Sequence, residues 1–179
     1  MKYCPTRNFA TIEDHDLQLI KTWNERVKPS DTIFHLGDVA FGSVERSYPI
    51  LNMLNGIKYL IPGNHDVQSL KKESFRSVWK EILPELTHFR FFNYFFVLCH
   101  YPLASWMFRE RNSIHLHGHC HNTLKWDQTP GNSYRIDVGV DAHPRLGPWS
   151  FVELLNLIDQ RQNQLACQNS SDSGSQRGG

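Results

Sequence analysis

The residues that could do chemistry come in four short clusters. They are Asp38 in Gly37-Asp38, then Asn64, His65 and Asp66 in Gly63-Asn-His-Asp, then His100 in Cys99-His-Tyr-Pro, then His117, His119 and His121 in His117-Gly-His-Cys-His. Carboxylate, amide and imidazole donors of this kind suit Mn, Fe or Zn rather than a thiolate-selected ion. Each cluster closes an apolar run: Ile33-Phe-His-Leu36, Tyr59-Leu-Ile61, Phe96-Val-Leu98 and Ile114-His-Leu116. In a parallel α/β sheet the loops after the strand C-termini line the ligand crevice. Four runs that end alike therefore deliver Asp38, Asn64, His100, His119 and His121 to one place. Singly, each has an ordinary structural reading: Asp38 as a turn residue after Gly37, Asn64 and Asp66 bonded to their own loop, His100 as a satisfied buried imidazole. Their joint placement points instead to a metal centre.

His117, His119 and His121 alternate, so on an unbroken strand all three would share one face. Gly118 argues for a strand-to-loop transition that leaves His117 in the strand and frees His119 and His121. Cys120 between them reads as a small packed residue. His15 and His35 read as structural.

The elements that must position these residues follow from spacing. Thr11-Ile-Glu-Asp14 has the form of a capping box, and Leu17, Ile20, Trp23 and Val27 recur at near-helical intervals up to Pro29. Residues 32–36 form a short strand with both faces covered, 44–54 a helix despite Pro49 with a left-handed cap at Asn55-Gly56, and 57–61 a second strand. Residues 67–83 read as helical. Residues 89–99 are aromatic throughout and too long for one strand, so they divide into two that turn near Asn93. Residues 104–112 form a loop or short helix, 113–116 a strand, 122–133 a polar loop through Pro130-Gly131, and 134–140 a strand. Ser150-Phe-Val-Glu153 is a full capping box whose helix ends at about Gln162. The polar segment 161–179 reads as a disordered tail.

Bulk composition narrows the class. A chain of 179 residues that is 40% apolar fits one domain, burying roughly 70% of the surface its unfolded form exposes. With 19 basic against 18 acidic residues there is no field for a nucleic-acid backbone. Cys4, Cys99, Cys120 and Cys167 are far apart and form no Cys-x-x-Cys pair, which argues against a zinc ribbon or a disulfide framework. No run approaches ~20 apolar residues and no signal-like segment opens the chain, so a cytoplasmic protein without a membrane span is expected. Nothing in the sequence speaks to oligomeric state.

Gly-Asp at 37–38, Gly-Asn-His-Asp at 63–66, Cys-His-Tyr-Pro at 99–102 and Gly-His-Cys-His at 118–121 resemble, in order and spacing, four of the five motifs of the calcineurin-like metallophosphoesterases. Lys2-Tyr-Cys4 and Arg7-Asn-Phe9 resemble the segment before the first helix in the small bacterial and phage branch. The resemblance implies a four-layer α/β/β/α sandwich over residues 1–160 that hydrolyses a small phosphomonoester or phosphodiester with two divalent ions. Asp38 would bridge the ions, Asn64, His100 and His119 would complete one shell, and His121 would serve the other. His65 would touch the phosphate and protonate the leaving oxygen, with Asn64 also near substrate, and Asp66 would help to hold the loop. Arg109 and Arg111 are further candidate phosphate contacts.

The family's first motif, Asp-x-His at the end of the first strand, has no counterpart in the sequence. One ion would keep only Asp38 and His121, so a single tightly held ion is expected. A central strand would be missing, and in-frame codons upstream of Met1 are expected to encode both. The alternative from another class is a metal-binding or interaction module on the same scaffold without turnover. A metallo-β-lactamase-like hydrolase fits less well, because Asn122 and Thr123 do not continue its histidine pattern.

Overall fold

Thr11 opens the first helix as its spacing predicts. The computed structural model describes residues 9–40, 42–124, 126 and 134–174, with side chains through 168. Lys2 to Arg7, Phe41 and Pro130-Gly131 lie outside the described residues. In α1 (Ile12–Arg26) Thr11 Oγ1 accepts the Asp14 N–H at 3.0 Å, satisfying one orphan donor of the first turn. The buried face runs through His15, Thr22 and the capping Val27, while Leu17, expected on it, is 65% exposed. Polar anchors set the rotation instead: Trp23 Nε1 donates to Asn55 O, Asn24 Nδ2 to Met53 O, and Arg26 reaches Pro148 O and the Glu153 carboxylate.

The strand-helix-strand unit forms as β1 (Thr32–His35), α2 (Val44–Met53) and β2 (Ile57–Leu60), with the strands parallel in the register Thr32↔Ile57 to His35↔Leu60. β1 is less covered than expected, since Thr32 is exposed and Phe34 is 36% exposed. α2 ends on an extended Leu54, so the left-handed turn falls at Gly56 alone.

The helix expected over residues 67–83 does not form as one piece. A 3₁₀ turn at Ser69–Lys71 precedes a single turn, α3 (Glu73–Arg76), and then β3 (Glu81–Ile82) pairs in parallel with β2. Lys72 is extended between the first two. The sheet outcompetes helix continuation because Lys80 N donates to Lys58 O and Leu83 N to Leu60 O, while Phe75 and Trp79 bury with Val44, Leu51 and Leu60.

In the second sheet β4 (Leu86–Phe91) and β5 (Tyr94–Cys99) form the expected hairpin through Phe92 and Asn93; β6 (Ile114–His117) and β7 (Arg135–Asp137) follow in parallel. β7 is shorter than the predicted strand because the Asp137 carboxylate accepts the Gly139 N–H and the chain bends into a 3₁₀ turn at Val140–Ala142. The strand orders are β1-β2-β3 and β4-β5-β6-β7. Among the described residues β1 pairs only with β2.

An aromatic ladder joins the layers: Phe34 stacks on Tyr59 and on Phe89, Phe89 on Phe96, and Phe96 meets Phe151. The core holds Leu36 and Ile61 beside the first sheet, Phe96, Leu98, Ile114 and Ile136 on the second, and Leu154 and Ile158 of α4 (Phe151–Gly174). α2 and α3 cover the first sheet's other face. Ser150 and Glu153 complete the capping box that starts α4. The helix passes Gln162 and continues to Gly174, correcting the disordered tail over that stretch. Gln162 to Gln168 contains no Gly or Pro, and Gln, Leu and Ala are good helix formers. No helix among the described residues is long and apolar enough to cross a membrane.

His115 lies fully buried on β6. Its Nδ1–H donates to Val97 O at 3.1 Å and its Nε2 accepts the Leu103 N–H at 3.0 Å, so the neutral ring is satisfied on both sides. Burial lowers its pKa to about 4. Between there and the ordinary 6.5 the unfolded chain binds the proton and the folded chain does not, so stability falls as pH falls through that window. The loss attached to this residue is on the order of 3 kcal/mol. His115→Gln keeps a donor and an acceptor without titrating. Urea midpoints at pH 7 and pH 4.5 should therefore lie closer together in that variant than in the parent; an unchanged gap removes His115 as a source of the acid sensitivity.

Candidate metal centre

Two glycines bring the first two loops into backbone contact. A Cβ on Gly37 (φ +83°) would lie 2.2 Å from Gly63 N, and one on Gly63 would lie 2.4 Å from Asp38 Oδ1. Asp66, 1% exposed, fastens the contact by accepting N–H bonds from Gly63 (2.9 Å), Asp38 (2.8 Å) and Val39 (3.0 Å). Three donors on one carboxylate make a strong, directional tie. It holds Asp38 in a left-handed conformation (φ 52°) that a non-glycine residue rarely adopts. Asp38 Oδ1 accepts the His65 N–H at 2.9 Å, which leaves Oδ2 facing His100.

His100 is the floor of the site, 1% exposed. Its Nδ1–H donates to Leu36 O at 2.6 Å, linking the end of β5 to the end of β1 and leaving Nε2 with its lone pair. Gly118 N donates to His100 O at 3.0 Å, bringing in the loop after β6. Around Nε2 stand Asn64 Oδ1 at 3.1 Å, His119 Nδ1 at 3.2 Å and Asp38 Oδ2 at 3.3 Å. A proton on His119 Nδ1 would relieve one of these contacts; a cation relieves all of them. The separations are also those of neighbouring ligands on a single ion with bonds of ~2.1 Å. Asp38, His100 and His119 have donor atoms within 4.8 Å of one another, the only such group of His, Cys, Asp and Glu among the described residues. The donor set thus fits one divalent ion. Asn64, His65 and His119 are exposed, so the mouth is open to solvent.

The loop after β6 is strained where it serves the site. His119 (φ 66°), His121 (φ 47°) and Asn122 (φ 59°) are all left-handed, at on the order of 1–3 kcal/mol each. Such strain concentrates at binding sites because the surrounding contacts must hold it.

Comparison with known proteins gives the family. The family model described as calcineurin-like phosphoesterase matches residues 13–163. The chain belongs to that family. An uncharacterized protein of Methanocaldococcus jannaschii is 32% identical over 164 residues, 89% of this chain and 84% of that protein. The Gene 66 protein of Mycobacterium phage D29 is 30% identical over 172 residues, 82% of this chain and 86% of its own length. A crystal structure of a protein of unknown function from Aquifex aeolicus superposes with a TM-score of 0.62 over 87% of this chain and 90% of that one. At 23% identity it speaks to the fold alone.

Within this calcineurin-like phosphoesterase the remaining candidates fall elsewhere. His121 is not in the Asp38 group; its Nδ1 lies 2.8 Å from Asp141 Oδ2. His117 stays in β6, buried, its Nδ1 donating to Gly118 O. Arg109 lies over the Trp106 ring at 5.5 Å and beside Glu110. Arg111 sits over Phe108 and lines a cavity of about 390 Å³ with Arg90, Tyr94 and Phe95, at the turn end of the β4–β5 hairpin. Five strand steps separate Tyr94 from Cys99, roughly 17 Å, so Arg111 is not brought to the metal-binding loops. The motif spacing gives no role to Tyr101, whose ring meets those of His100 (4.9 Å) and His119 (4.8 Å), nor to Asp141. For Asp141 a signal exists: an acid in the loop after β7, level with the ligand loop after β6.

Metal analysis of the purified chain should find about one tightly held first-row ion. Asp38→Asn, which removes the anionic member of the four-donor set, should weaken it more than any other single change in that set, by tenfold or more in a chelator competition. Undiminished binding by that variant would exclude Asp38 as a ligand.

Proposed function

We propose that this phosphoesterase hydrolyses a small phosphate ester, mono- or diester, by in-line attack of water at phosphorus, with Asp38, Asn64, His100 and His119 holding a divalent ion, Mn, Fe or Zn. The observation that carries the reading is the convergence of Asn64 Oδ1, His119 Nδ1 and Asp38 Oδ2 on His100 Nε2 at a mouth open to solvent. A bound cation there supplies Lewis acidity toward a phosphoryl oxygen and lowers the pKa of water.

The chain's own residues divide the rest of the work. Asp66 and the glycine contact fix Asp38 and Asn64 before substrate arrives, so little reorganisation is left for the reaction. In this reading His65, exposed and one residue from Asn64, meets the ester and gives a proton to the departing oxygen. Its backbone N–H is held by Asp38 Oδ1, which couples the proton donor's position to the metal ligand. No nucleophile from the protein is required. In the family two ions clamp such substrates; here Asp38 and His121 are the residues left for the second.

A second reading, a metal-binding module without turnover, has one observation in its favour. His121 stands outside the Asp38 group, so the described residues assemble donors for one ion rather than two.

The two readings part on His65→Ala. Hydrolysis of a phosphodiester with a poor leaving group should fall about 10²-fold or more, that of a nitrophenyl ester less, and metal content should stay unchanged. Equal losses on both substrates would remove the proton-donor role. A parent chain inert with Mn, Fe, Co and Zn would favour the module.

A further inference from the structure

We infer that Asp141 is the positioning residue for His121: its carboxylate accepts the Nδ1–H hydrogen bond and leaves Nε2 as the donor atom for a second cation. The inference rests on the proposed reading of the site, in which His121 is a ligand.

The geometry is local and well defined. His121 Nδ1 and Asp141 Oδ2 are 2.8 Å apart; the Asp141 side chain is 4% exposed and that of His121 38%. Asp141 lies in the middle of the 3₁₀ turn Val140–Ala142 that follows β7. β6 and β7 run parallel and end level, with His117 opposite Asp137, so the loops that leave them lie side by side. A second tie between those loops runs from Asn122 N to Asp137 Oδ2 at 3.0 Å. The pairing is thus set by sheet register and does not depend on a flexible surface encounter.

Its chemistry follows from what a carboxylate can accept. A neutral imidazole has one N–H, and an ionised carboxylate offers only lone pairs, so the proton between them sits on Nδ1. Nε2 is then the unprotonated nitrogen. The site uses the same device at His100, where the Leu36 carbonyl accepts the Nδ1–H hydrogen bond and Nε2 joins the donor cluster. At His121 a buried carboxylate stands in place of the carbonyl. Such a partner orients the ring, selects the tautomer and makes the unprotonated nitrogen a stronger ligand. His121 is also held in a left-handed backbone conformation, so the side-chain tie acts on a residue already fixed at its other end.

The experiment has two readouts on the full chain. Long-range ¹H–¹⁵N spectra of the metal-free protein should show His121 as the Nδ1–H tautomer in the parent and as mainly Nε2–H in Asp141→Ala. Calorimetric titration with Mn²⁺ into the millimolar range should show a tight ion and a weaker one. Asp141→Ala should weaken the second by 10- to 100-fold and leave the first alone, and Asp141→Glu should recover part of the loss. Should Asp141→Ala not fold, Asp141→Asn carries both measurements: its amide can donate to Nδ1, which again forces Nε2–H. The inference is overturned by an Nε2–H tautomer in the parent, by a parent that takes up one ion only, or by Asp141→Ala binding the second ion within twofold of the parent while His121→Ala loses it. If His121→Ala binds both ions as the parent does, the ligand role of His121 has failed first and the inference falls with it.

Discussion

The buried carboxylate of Asp66 is the tie on which the rest of the site depends. It accepts from the backbone on both sides of the contact between the loops after β1 and β2, and those loops carry Asp38 and Asn64. A group so buried must be paired or it destabilises the fold. Here the pairing closes two loops on each other at the one point where neither glycine offers a side chain to separate them. A short bond from His100 Nδ1–H to Leu36 O ties the second sheet to this assembly. Metal donors from four loops are therefore held by backbone contacts that exist without the metal, at the price of left-handed residues in two of the loops.

This dependence explains what was legible in the sequence. The loops carry their own local signals: Gly37 before Asp38, Pro62-Gly63 before Asn64, Pro102 after Tyr101, Gly118 before His119. Apolar runs in front of them mark strands, and the helix-start signals at Thr11 and Ser150 each lie within four residues. Spacing alone thus places Asp38, Asn64, His100 and His119 on neighbouring strand ends, as the structure has them. What spacing misses is decided at a distance. β3 forms because Lys58 and Leu60 offer carbonyls to residues 80–83, and no local pattern there announces a strand. α1 turns its Leu17 outward because partners some 30 residues or more away hold Trp23, Asn24 and Arg26.

The arginines and Asp141 illustrate the same divide within the functional candidates. Arg109 and Arg111 follow His100 by about ten residues, which sequence distance makes look close. The segment, however, has to return to the other end of the sheet to start β6 beside Phe96, and it carries Arg111 with it. Asp141 is twenty residues from His121 in sequence, yet parallel pairing of β6 and β7 sets them side by side. In a parallel sheet, position relative to a strand end predicts proximity better than position along the chain.

The chemistry of the site depends on one ion at His100 Nε2. Anomalous diffraction from crystals of the chain grown with Mn²⁺ or Zn²⁺ measures this directly. The predicted result is a strong peak at bonding distance from Asp38 Oδ2, Asn64 Oδ1, His100 Nε2 and His119 Nδ1 together. A peak elsewhere, or no peak with Asn64 turned so that its amide N–H donates to His100 Nε2, would contradict it.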